Sequence, residues 1–367
     1  MITQKANLLK VLKNLYFVKN EPISLVHFVT NRCNARCSFC FIDFDDPKTF
    51  KGELNLNEIQ TLTKNLGSSL LNINLTGGEP FARKDLVDIA KLYLKNTPIQ
   101  SIYITTNASL PGRIKKFAED ISSFSLQTEL NFQISIDDFP EKHDKVRKIK
   151  NLFDNCIESY RLLKKISLKV NPVVSITVSH ENCDNIKDIF NYLHDKCNID
   201  AIKCGIVRDE GVYKTPQEKR EKIFEAYNWL TSTLKQKIRE KKILNYNDKS
   251  LQGKLHKKKD IISWEMIKQM YLNPKYISPC HAASLFGIIT ANGKVYPCEI
   301  LEDKLLGNLR DHNMKFMEIW KSEKTKKTKD FILNSKCNCT YECALTYNIL
   351  GNFRYQPRLV SSLFNLD

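Results

Sequence analysis

From about residue 22 onward, the chain alternates short runs of apolar and β-branched residues with longer segments of helical periodicity. This alternation predicts repeated strand–helix units and therefore a parallel sheet. The predicted strands span residues 25–30, 73–76, 101–105, 132–136, 173–178 and 201–207. The predicted helices between them span residues 57–66, 84–94, 113–121, 146–165 and 185–195. Right-handed crossovers between parallel strands wind either an open sheet or a barrel, so the pattern predicts an α/β fold.

Two later segments differ from this pattern. Residues 215–272 are charged and helical around 226–237 and 261–270, with a polar stretch between. We interpret them as a linker that is either a lid or a plain surface excursion. Beyond Cys280, residues 286–290 and 295–297 flank an Ala-Asn-Gly-Lys turn, which predicts a β-hairpin at the start of a second domain.

Lysine and arginine outnumber aspartate and glutamate by 57 to 41, a formal charge of +16. Such a surplus can attract phosphate-rich partners. The lysines are scattered along the whole chain, however, which favours a well-solvated basic surface. We therefore expect no nucleic-acid partner.

The sequence predicts a cytoplasmic protein without a transmembrane segment. No apolar run approaches the roughly 20 residues that span a bilayer, and twelve cysteines without a secretory signal are typical of a reducing compartment. The first twenty residues are basic, with Leu8, Leu12 and Leu15 at helical spacing. They predict an N-terminal helix packed on the body of the protein, with an amphipathic surface helix as the alternative.

Three cysteines lie on the loop after the first predicted strand, where Cys33, Cys37 and Cys40 form a Cys-x3-Cys-x2-Cys arrangement. Functional loops of α/β barrels gather at the carboxyl ends of the strands. Three thiolates so close in sequence can surround one metal centre, and a 4Fe–4S cluster held by three cysteines leaves one iron open to another ligand. Zinc, the alternative, usually takes four protein ligands, and no fourth lies nearby in sequence.

The ends of the next three strands carry glycine-rich and polar motifs in a fixed order, and a His-Asp-x-x-Arg stretch follows them. With the cysteine loop, this order resembles the radical S-adenosylmethionine (SAM) superfamily over residues 24 to about 208. The resemblance implies a partial (β/α)6 TIM-like barrel that binds a 4Fe–4S cluster and SAM. It also implies nine SAM-binding residues: Gly77, Gly78, Glu79, Pro80, Thr106, Asn107, Ser135, Asp137 and Arg147.

In such enzymes the cluster delivers an electron to SAM, and the 5′-deoxyadenosyl radical that results abstracts hydrogen from the substrate. The resemblance implies that the Glu79 carboxylate accepts the SAM ammonium and that Arg147 clamps the methionine carboxylate. Asp138 stands where the family usually has glycine. Arg208, at the end of the sixth strand, is a candidate for contact with a substrate anion or the SAM carboxylate, with an ordinary surface arginine as the alternative.

The last part of the chain carries five further cysteines, of which one precedes the hairpin and one follows a Gly-x4-Cys motif. This arrangement resembles the SPASM or shorter twitch extension of radical SAM enzymes, a small α+β domain of β-hairpin and helix that binds auxiliary 4Fe–4S clusters. Five cysteines suffice for one such cluster. We expect Cys280, Cys298, Cys339 and Cys343 as ligands, with Cys337 as the alternative to Cys339. A structural zinc site is the competing interpretation.

The predicted organisation has four parts. They are an N-terminal helix over 1–23, a radical SAM barrel over 24–212, a helical linker over 213–275 and an auxiliary-cluster domain over 276–367. The leading hypothesis is a radical SAM oxidoreductase that acts on a small polar molecule, sugar-like or another metabolite, and relays an electron through the auxiliary cluster. It would receive electrons from a donor such as flavodoxin or ferredoxin.

Two hypotheses compete with this one. The first is a peptide maturase that forms thioether or carbon–carbon crosslinks, which we rank second because such enzymes commonly carry an extra peptide-binding domain and the segment before residue 24 is too short for one. The second is a non-catalytic iron–sulfur carrier or zinc module, which would have no use for the glycine-rich motif after the second strand.

Overall fold

The computed structural model describes residues 6–209 and 213–361. The outer ends of the predicted N-terminal helix and C-terminal domain, and the end of the predicted barrel at 210–212, lie outside the described residues. The strands are β1 Ser24–Thr30, β2 Asn72–Gly77, β3 Ser101–Thr106, β4 Glu129–Ser135, β5 Val170–Val178, β6 Ile202–Ile206, β7 Phe286–Ile289, β8 Lys294–Tyr296 and β9 Gly307–Asn308. The α-helices are α1 Leu8–Lys13, α2 Leu56–Thr63, α3 Leu86–Asn96, α4 Pro111–Phe124, α5 Pro140–Arg147, α6 Leu152–Leu163, α7 Ile186–Asn191, α8 Arg220–Arg239, α9 Leu251–Met270, α10 Phe316–Trp320, α11 Glu323–Asn334, α12 Glu342–Leu350 and α13 Gln356–Ser361.

All six predicted strands of the α/β region are confirmed, and they form one parallel sheet. The strand order is β6-β5-β4-β3-β2-β1-β7-β8-β9, with β1 to β6 parallel to their neighbours. In the described part of the chain, β6 and β9 form the two edges, so the sheet does not close on itself. The fold is therefore the open, partial barrel that the sequence predicts.

The two-residue period of the strands separates the core from the cavity at the strand ends. Residues of β4 alternate between buried and half-buried positions. The buried Phe132 packs edge-on against Phe117 of α4, with ring centroids 6.2 Å apart, whereas Ser135 faces the cavity. Successive side chains of a strand point to opposite faces, so one face packs under the helices and the other remains available for ligands.

The C-terminal hairpin extends the barrel sheet. The predicted hairpin is confirmed as β7 and β8, but β7 also pairs in parallel with β1, with Ser24 opposite Phe286 and Leu25 opposite Gly287. This pairing covers an edge of β1 that would otherwise be exposed. A Cβ on Gly287 would stand 2.6 Å from the ring of Trp320, so a glycine here lets α10 pack directly on the sheet.

Helix α8 packs against β6 and α7, and α9 packs against α12. The predicted N-terminal helix is present as α1, continued by a π-helical turn over Asn14–Val18. It packs on the body of the protein as predicted, through the buried Val11 and the partly buried Leu15. Leu8 and Leu12 are 67% and 39% exposed. No helix in the described ranges combines the length and the apolar character needed to cross a bilayer.

Candidate active site

A cavity of about 850 Å³ lies at the carboxyl ends of the parallel strands. The cysteine loop after β1 forms one wall, and the hairpin and the start of α12 form the opposite wall. Six of the nine predicted SAM-binding residues line it: Gly77, Gly78, Thr106, Asn107, Ser135 and Arg147. These residues come together because the strand ends of a parallel sheet meet at one edge.

The three cysteines of the first loop all line this cavity. The backbone N–H of Ala35 donates to Cys33 Sγ at 3.3 Å, and the Asn107 amide donates to the same sulfur at 3.8 Å. Burial raises the pKa of Cys33 to about 11 and also raises the pKa of Cys37 and of Cys40. Without a metal these thiols hold their protons, and a bound metal would displace them.

At Gly77 and Gly78, the backbone at the end of β2 packs closely against the cysteine loop. Gly77 has φ +140°, and a Cβ there would stand 1.9 Å from the Thr30 carbonyl oxygen; a Cβ on Gly78 would stand 2.4 Å from the Arg32 carbonyl oxygen. The Gly78 N–H donates to the Thr30 carbonyl at 2.8 Å. We predicted glycines here for close backbone approach, and the structure shows that the backbone they approach is that of the cysteine loop.

Glu79 lies behind the cavity wall. Its side chain is 1% exposed, and its carboxylate accepts hydrogen bonds from the Thr106 hydroxyl at 2.8 Å and from the Asn107 N–H at 2.7 Å. Burial raises its pKa to about 7. Neither Glu79 nor Pro80 lines the cavity. These hydrogen bonds hold in place the last residue of β3, Thr106, and the residue that follows it, Asn107.

Arg147 connects the cysteine loop to the end of β4. Its guanidinium pairs with the buried Asp137 carboxylate, and its carbonyl accepts the Arg36 N–H at 3.1 Å. Burial alone would lower the pKa of Arg147, but Asp137 raises it above its usual range. Asp137 itself lies outside the cavity lining, and its other oxygen accepts the Thr177 N–H at 2.8 Å. Within the described residues, Arg147 Nε has no hydrogen-bond partner, so it is available to a ligand at this wall.

The opposite wall carries a polar cluster that joins the barrel to the C-terminal region. Glu299 accepts a hydrogen bond from Arg208 Nη2 and another from the Tyr341 hydroxyl, each at 2.7 Å. The Arg208 guanidinium also lies 4.6 Å from the centre of the Tyr341 ring. The sequence analysis found Arg208 but missed Glu299 and Tyr341. Their positions in the sequence could have identified them, because Glu299 directly follows Cys298 and Tyr341 lies between Cys339 and Cys343.

Glu342 is a third cavity residue that sequence reasoning missed. Its carboxylate lies over Gly205 of β6, where a Cβ would come within 3.2 Å of Oε1. Burial raises the pKa of this carboxyl, and within the described chain Oε1 has no hydrogen-bond partner. The carboxyl is therefore placed to accept a hydrogen bond from a molecule in the cavity.

The predicted lid does not cover this cavity. None of the described residues in 213–275 lines it. The rim is instead formed by residues 41–46 and Thr49 on one side and by residues of the hairpin and its continuation on the other. Helices α8 and α9 pack against the sheet and α12 because their apolar faces are buried there.

The five cysteines of the C-terminal region line two different cavities. Cys280, Cys337 and Cys339 line a small cavity of about 10 Å³, whereas Cys298 and Cys343 line the main one. The Cys280 thiol donates to Cys337, which raises the pKa of Cys280 well above its usual value and lowers that of Cys337 to about 7. Among the described residues, no three Cys, His, Asp or Glu side chains lie close enough to share a single metal ion.

Sequence comparison agrees with this geometry. The radical SAM superfamily profile matches residues 28–193, and the SPASM profile, an iron-sulfur cluster-binding domain, matches residues 280–344. The chain contains a radical SAM domain followed by a SPASM domain. The radical SAM domain includes the cysteine loop and the predicted SAM-binding motifs, and the SPASM domain includes all five cysteines of the second set.

Curated relatives of this radical SAM protein match it over part of their length. Fe-coproporphyrin III synthase of Methanosarcina barkeri is 29% identical over 50% of this chain and 43% of its own. GTP 3′,8-cyclase of Cronobacter sakazakii is 31% identical over 42% of this chain and 47% of its own. The sporulation killing factor maturation protein SkfB of Bacillus subtilis is 29% identical over 46% and 38%. The chain thus spans less than half of each.

Solved structures extend the likeness of fold to nearly the whole radical SAM chain. Native anSMEcpe with bound AdoMet superposes with a TM-score of 0.62, covering 94% of this chain and 99% of that one at 18% identity. SuiB of Streptococcus suis bound to S-adenosylmethionine has a TM-score of 0.57, covering 88% and 71% at 15% identity. At these identities the likeness concerns the fold.

The residues of the radical SAM site fit the cofactors that the two domains imply, 4Fe–4S clusters and SAM. The donor set is chemically suitable, since soft thiolates bind iron–sulfur clusters. The unpartnered Arg147 Nε faces the same cavity as the three thiols, where a carboxylate can accept from it. When bound, the cluster and SAM supply a radical that abstracts hydrogen from unactivated carbon.

Proposed function

We propose that this chain is a radical SAM oxidoreductase that cleaves SAM reductively and abstracts hydrogen from a polar substrate in the main cavity. One observation carries the proposal: the thiols of Cys33, Cys37 and Cys40 share that cavity with the hydrogen-bonded cluster of Arg208, Glu299 and Tyr341. The first wall suits the cofactor, and the second presents charged and hydrogen-bonding groups to a substrate. A cavity of this volume falls in the usual range for small-molecule sites.

The proposed SAM contacts are Arg147 and residues at the carboxyl ends of β3 and β4. Arg147 Nε would donate a hydrogen bond to the methionine carboxylate. The Asp137 carboxylate fixes the guanidinium of Arg147 and compensates its charge. Thr106, Asn107 and Ser135 line the same wall. Glu79 would act indirectly, because its carboxylate orients Thr106 and the backbone of Asn107.

A small polar molecule is the first candidate substrate. The part of the lining formed by the end of β6, the hairpin and the start of α12 includes the Arg208 guanidinium and the carboxylates of Glu299, Glu302 and Glu342. The Glu342 carboxylate has an unpartnered oxygen in the described structure. Such groups match hydroxyl and amino substituents, and the buried carboxyl of Glu342 would disfavour an apolar substrate that left it unsatisfied.

A peptide is the second candidate, and the comparisons support it. The matched SkfB is named a maturation protein. One matched anSMEcpe structure holds a Kp18Cys peptide, and one SuiB structure holds its precursor peptide SuiA. The cavity rim between residues 41–46 and the hairpin would then admit one side chain of the peptide.

One fractionation experiment separates the two candidates. Cells of the source organism are grown in D₂O, and their extract is divided into a small-molecule ultrafiltrate and a peptide fraction. Each fraction is incubated with reduced protein and unlabelled SAM, and 5′-deoxyadenosine is analysed by mass spectrometry. Deuterium gained only from the ultrafiltrate establishes the first candidate, and deuterium gained only from the peptide fraction establishes the second. No 5′-deoxyadenosine from protein with a full iron content contradicts the proposed function itself.

Arg208→Ala tests the substrate wall. We expect deuterium transfer to fall about 30-fold or more, because the Glu299 carboxylate loses its cationic partner. Formation of 5′-deoxyadenosine without substrate should remain within about twofold, since Arg208 lies across the cavity from the proposed SAM contacts. Arg310→Ala is the matched control, because Arg310 also pairs with a glutamate, Glu58, but lies outside the cavity lining. Equal loss in both variants would contradict a substrate role for Arg208.

For the SPASM domain, we propose one auxiliary 4Fe–4S cluster held by Cys280, Cys298, Cys337 and Cys343. The sequence left open the choice between Cys337 and Cys339. Two contacts support Cys337: its hydrogen bond with Cys280, and its electrostatic effect on the thiol of Cys298. Since Cys298 and Cys343 also line the main cavity, the cluster would lie beside the substrate and could accept an electron from it.

Two single variants decide this choice. We expect Cys337→Ala to lower the iron content from about eight to about four per chain, and Cys339→Ala to leave it at about eight. The thiolate is the metal ligand, and the hydrogen bond from Cys280 lowers the pKa of Cys337 to about 7. Iron and sulfide are counted after anaerobic purification. The reverse pattern would assign the ligand to Cys339.

A further inference from the structure

Helix α11 and its flanking turns form a strongly basic surface. Between Lys321 and Lys336 the chain carries six lysines and two acidic residues, a net charge of +4 in 16 residues. The chain as a whole carries +16 over 367 residues. The lysines are Lys321, Lys324, Lys326, Lys327, Lys329 and Lys336. One acid, Glu323, is engaged by Lys326 at 3.1 Å, which leaves Lys324, Lys327 and Lys336 exposed beside it. We call these three the docking lysines.

This surface adjoins the second cysteine set directly. On the inner side of α11, the buried Ile332 packs with the cysteines of the SPASM domain. The Ile332 carbonyl accepts the Cys337 N–H at 3.1 Å, and the exposed Lys336 immediately precedes Cys337. A protein bound to the outer side of α11 would thus be separated from the proposed auxiliary cluster by this one helix and the turn that follows it.

Two large apolar side chains lie among these lysines. Phe331 is 42% exposed and Leu333 is 59% exposed. Lys304 contributes from another segment, with Nζ 4.4 Å from the centre of the Phe331 ring. Because they are two residues apart in the helix, Phe331 and Leu333 lie on different flanks of α11, Phe331 on the flank of Lys324 and Lys327. Apolar side chains with charged residues around them are typical of a protein interface. The positive charge selects an acidic partner and would accelerate its encounter.

We propose that the docking lysines, with Phe331 and Leu333, bind an acidic electron-transfer protein that exchanges electrons with the auxiliary cluster. The proposal rests on the proposed function, because it requires a cluster behind α11. In the exchange, one electron passes from the reduced cluster to the bound protein; the cluster is oxidised by one electron, the partner is reduced by one, and no bond is made or broken. The complex would be small and transient, as electron-transfer encounters generally are.

The test measures the binding of an electron-transfer protein to this surface. The triple variant Lys324→Glu/Lys327→Glu/Lys336→Glu is compared with Lys95→Glu/Lys165→Glu/Lys196→Glu, which reverses three exposed lysines at the ends of barrel helices. A flavodoxin serves as the probe, and its Kd for the fully iron-loaded chain is measured by calorimetry at several salt concentrations. We expect the docking variant to weaken binding about tenfold or more at low salt. The control should stay within about twofold of the wild type, and added salt should remove the difference.

Further readouts separate the possible failures. The iron content and the 5′-deoxyadenosine formed with dithionite should equal those of the wild type in both variants, because a chemical reductant does not use this surface. Wild-type protein with about four irons per chain would contradict the auxiliary cluster. The Kd for flavodoxin would then test only whether the docking lysines bind an acidic protein. Equal affinity of the two variants for flavodoxin would overturn the docking proposal. So would tighter binding of a mixed-sequence RNA or of anionic vesicles than of flavodoxin, if the docking variant weakened that binding to the same extent.

Discussion

Replacing Cys33, Cys37 and Cys40 together by alanine is expected to abolish SAM cleavage and to lower the iron content from about eight to about four per chain. The three thiols share one cavity wall with the predicted SAM contacts, so the variant removes every proposed protein ligand of the catalytic cluster. The proposed auxiliary site uses none of these three cysteines and should keep its iron. Iron, sulfide and 5′-deoxyadenosine are measured after anaerobic purification and reduction with dithionite.

The control for this experiment is Cys183→Ala/Cys197→Ala. Both thiols lie outside the two cavities that contain the other cysteine sets. This variant should keep about eight irons and full cleavage of SAM. Wild-type protein with about eight irons but no 5′-deoxyadenosine would contradict the proposed function, and a triple variant that still cleaves SAM would contradict the assignment of the cysteine loop.

Gly78→Ala is expected to have the second largest effect, although it removes no ligand. The added Cβ would stand 2.4 Å from the Arg32 carbonyl oxygen and 2.7 Å from that of Asn31, both backbone atoms of the cysteine loop. Either β2 or the loop must move, which costs about 1–3 kcal/mol. Because the loop carries Cys33, we expect loss of the catalytic cluster and of SAM cleavage together with a lower free energy of unfolding.

Gly112→Ala provides the matched control. Gly112 lies in the first turn of α4, and a Cβ there would meet nothing within 4 Å. Alanine is favoured over glycine in a helix by about 0.5–1 kcal/mol, so this variant should be slightly more stable and fully active. Urea unfolding gives the stability of both variants, and electron paramagnetic resonance of the reduced protein reports the cluster. A Gly78→Ala protein with wild-type stability and cluster content would contradict the proposed contact.

Gly77 and Gly78 show what a sequence motif can and cannot predict. The Gly-Gly-Glu-Pro stretch marked the end of β2 as part of the site. The nearest atoms to a Cβ on Gly77 and on Gly78 would be the Thr30 and Arg32 carbonyl oxygens, respectively. A motif identifies where the backbone must approach something closely; it does not say which backbone or molecule is approached. The same holds for Glu79, whose hydrogen bonds to Thr106 and Asn107 depend on the register between β2 and β3.

The sequence alone determined the parallel sheet, the position of the cysteine loop, and the second cysteine set beside a hairpin. These follow from local patterns: two-residue and helical periodicity, turn residues, and the spacing of thiols. Only the tertiary structure decided that β7 pairs with β1, that Arg208, Glu299 and Tyr341 form one cluster in the cavity wall, and that α8 and α9 pack outside the cavity lining. Each of these joins residues far apart in the chain. Which distant segments meet is set by the burial of whole faces and edges, and that information is not contained in any short stretch of sequence.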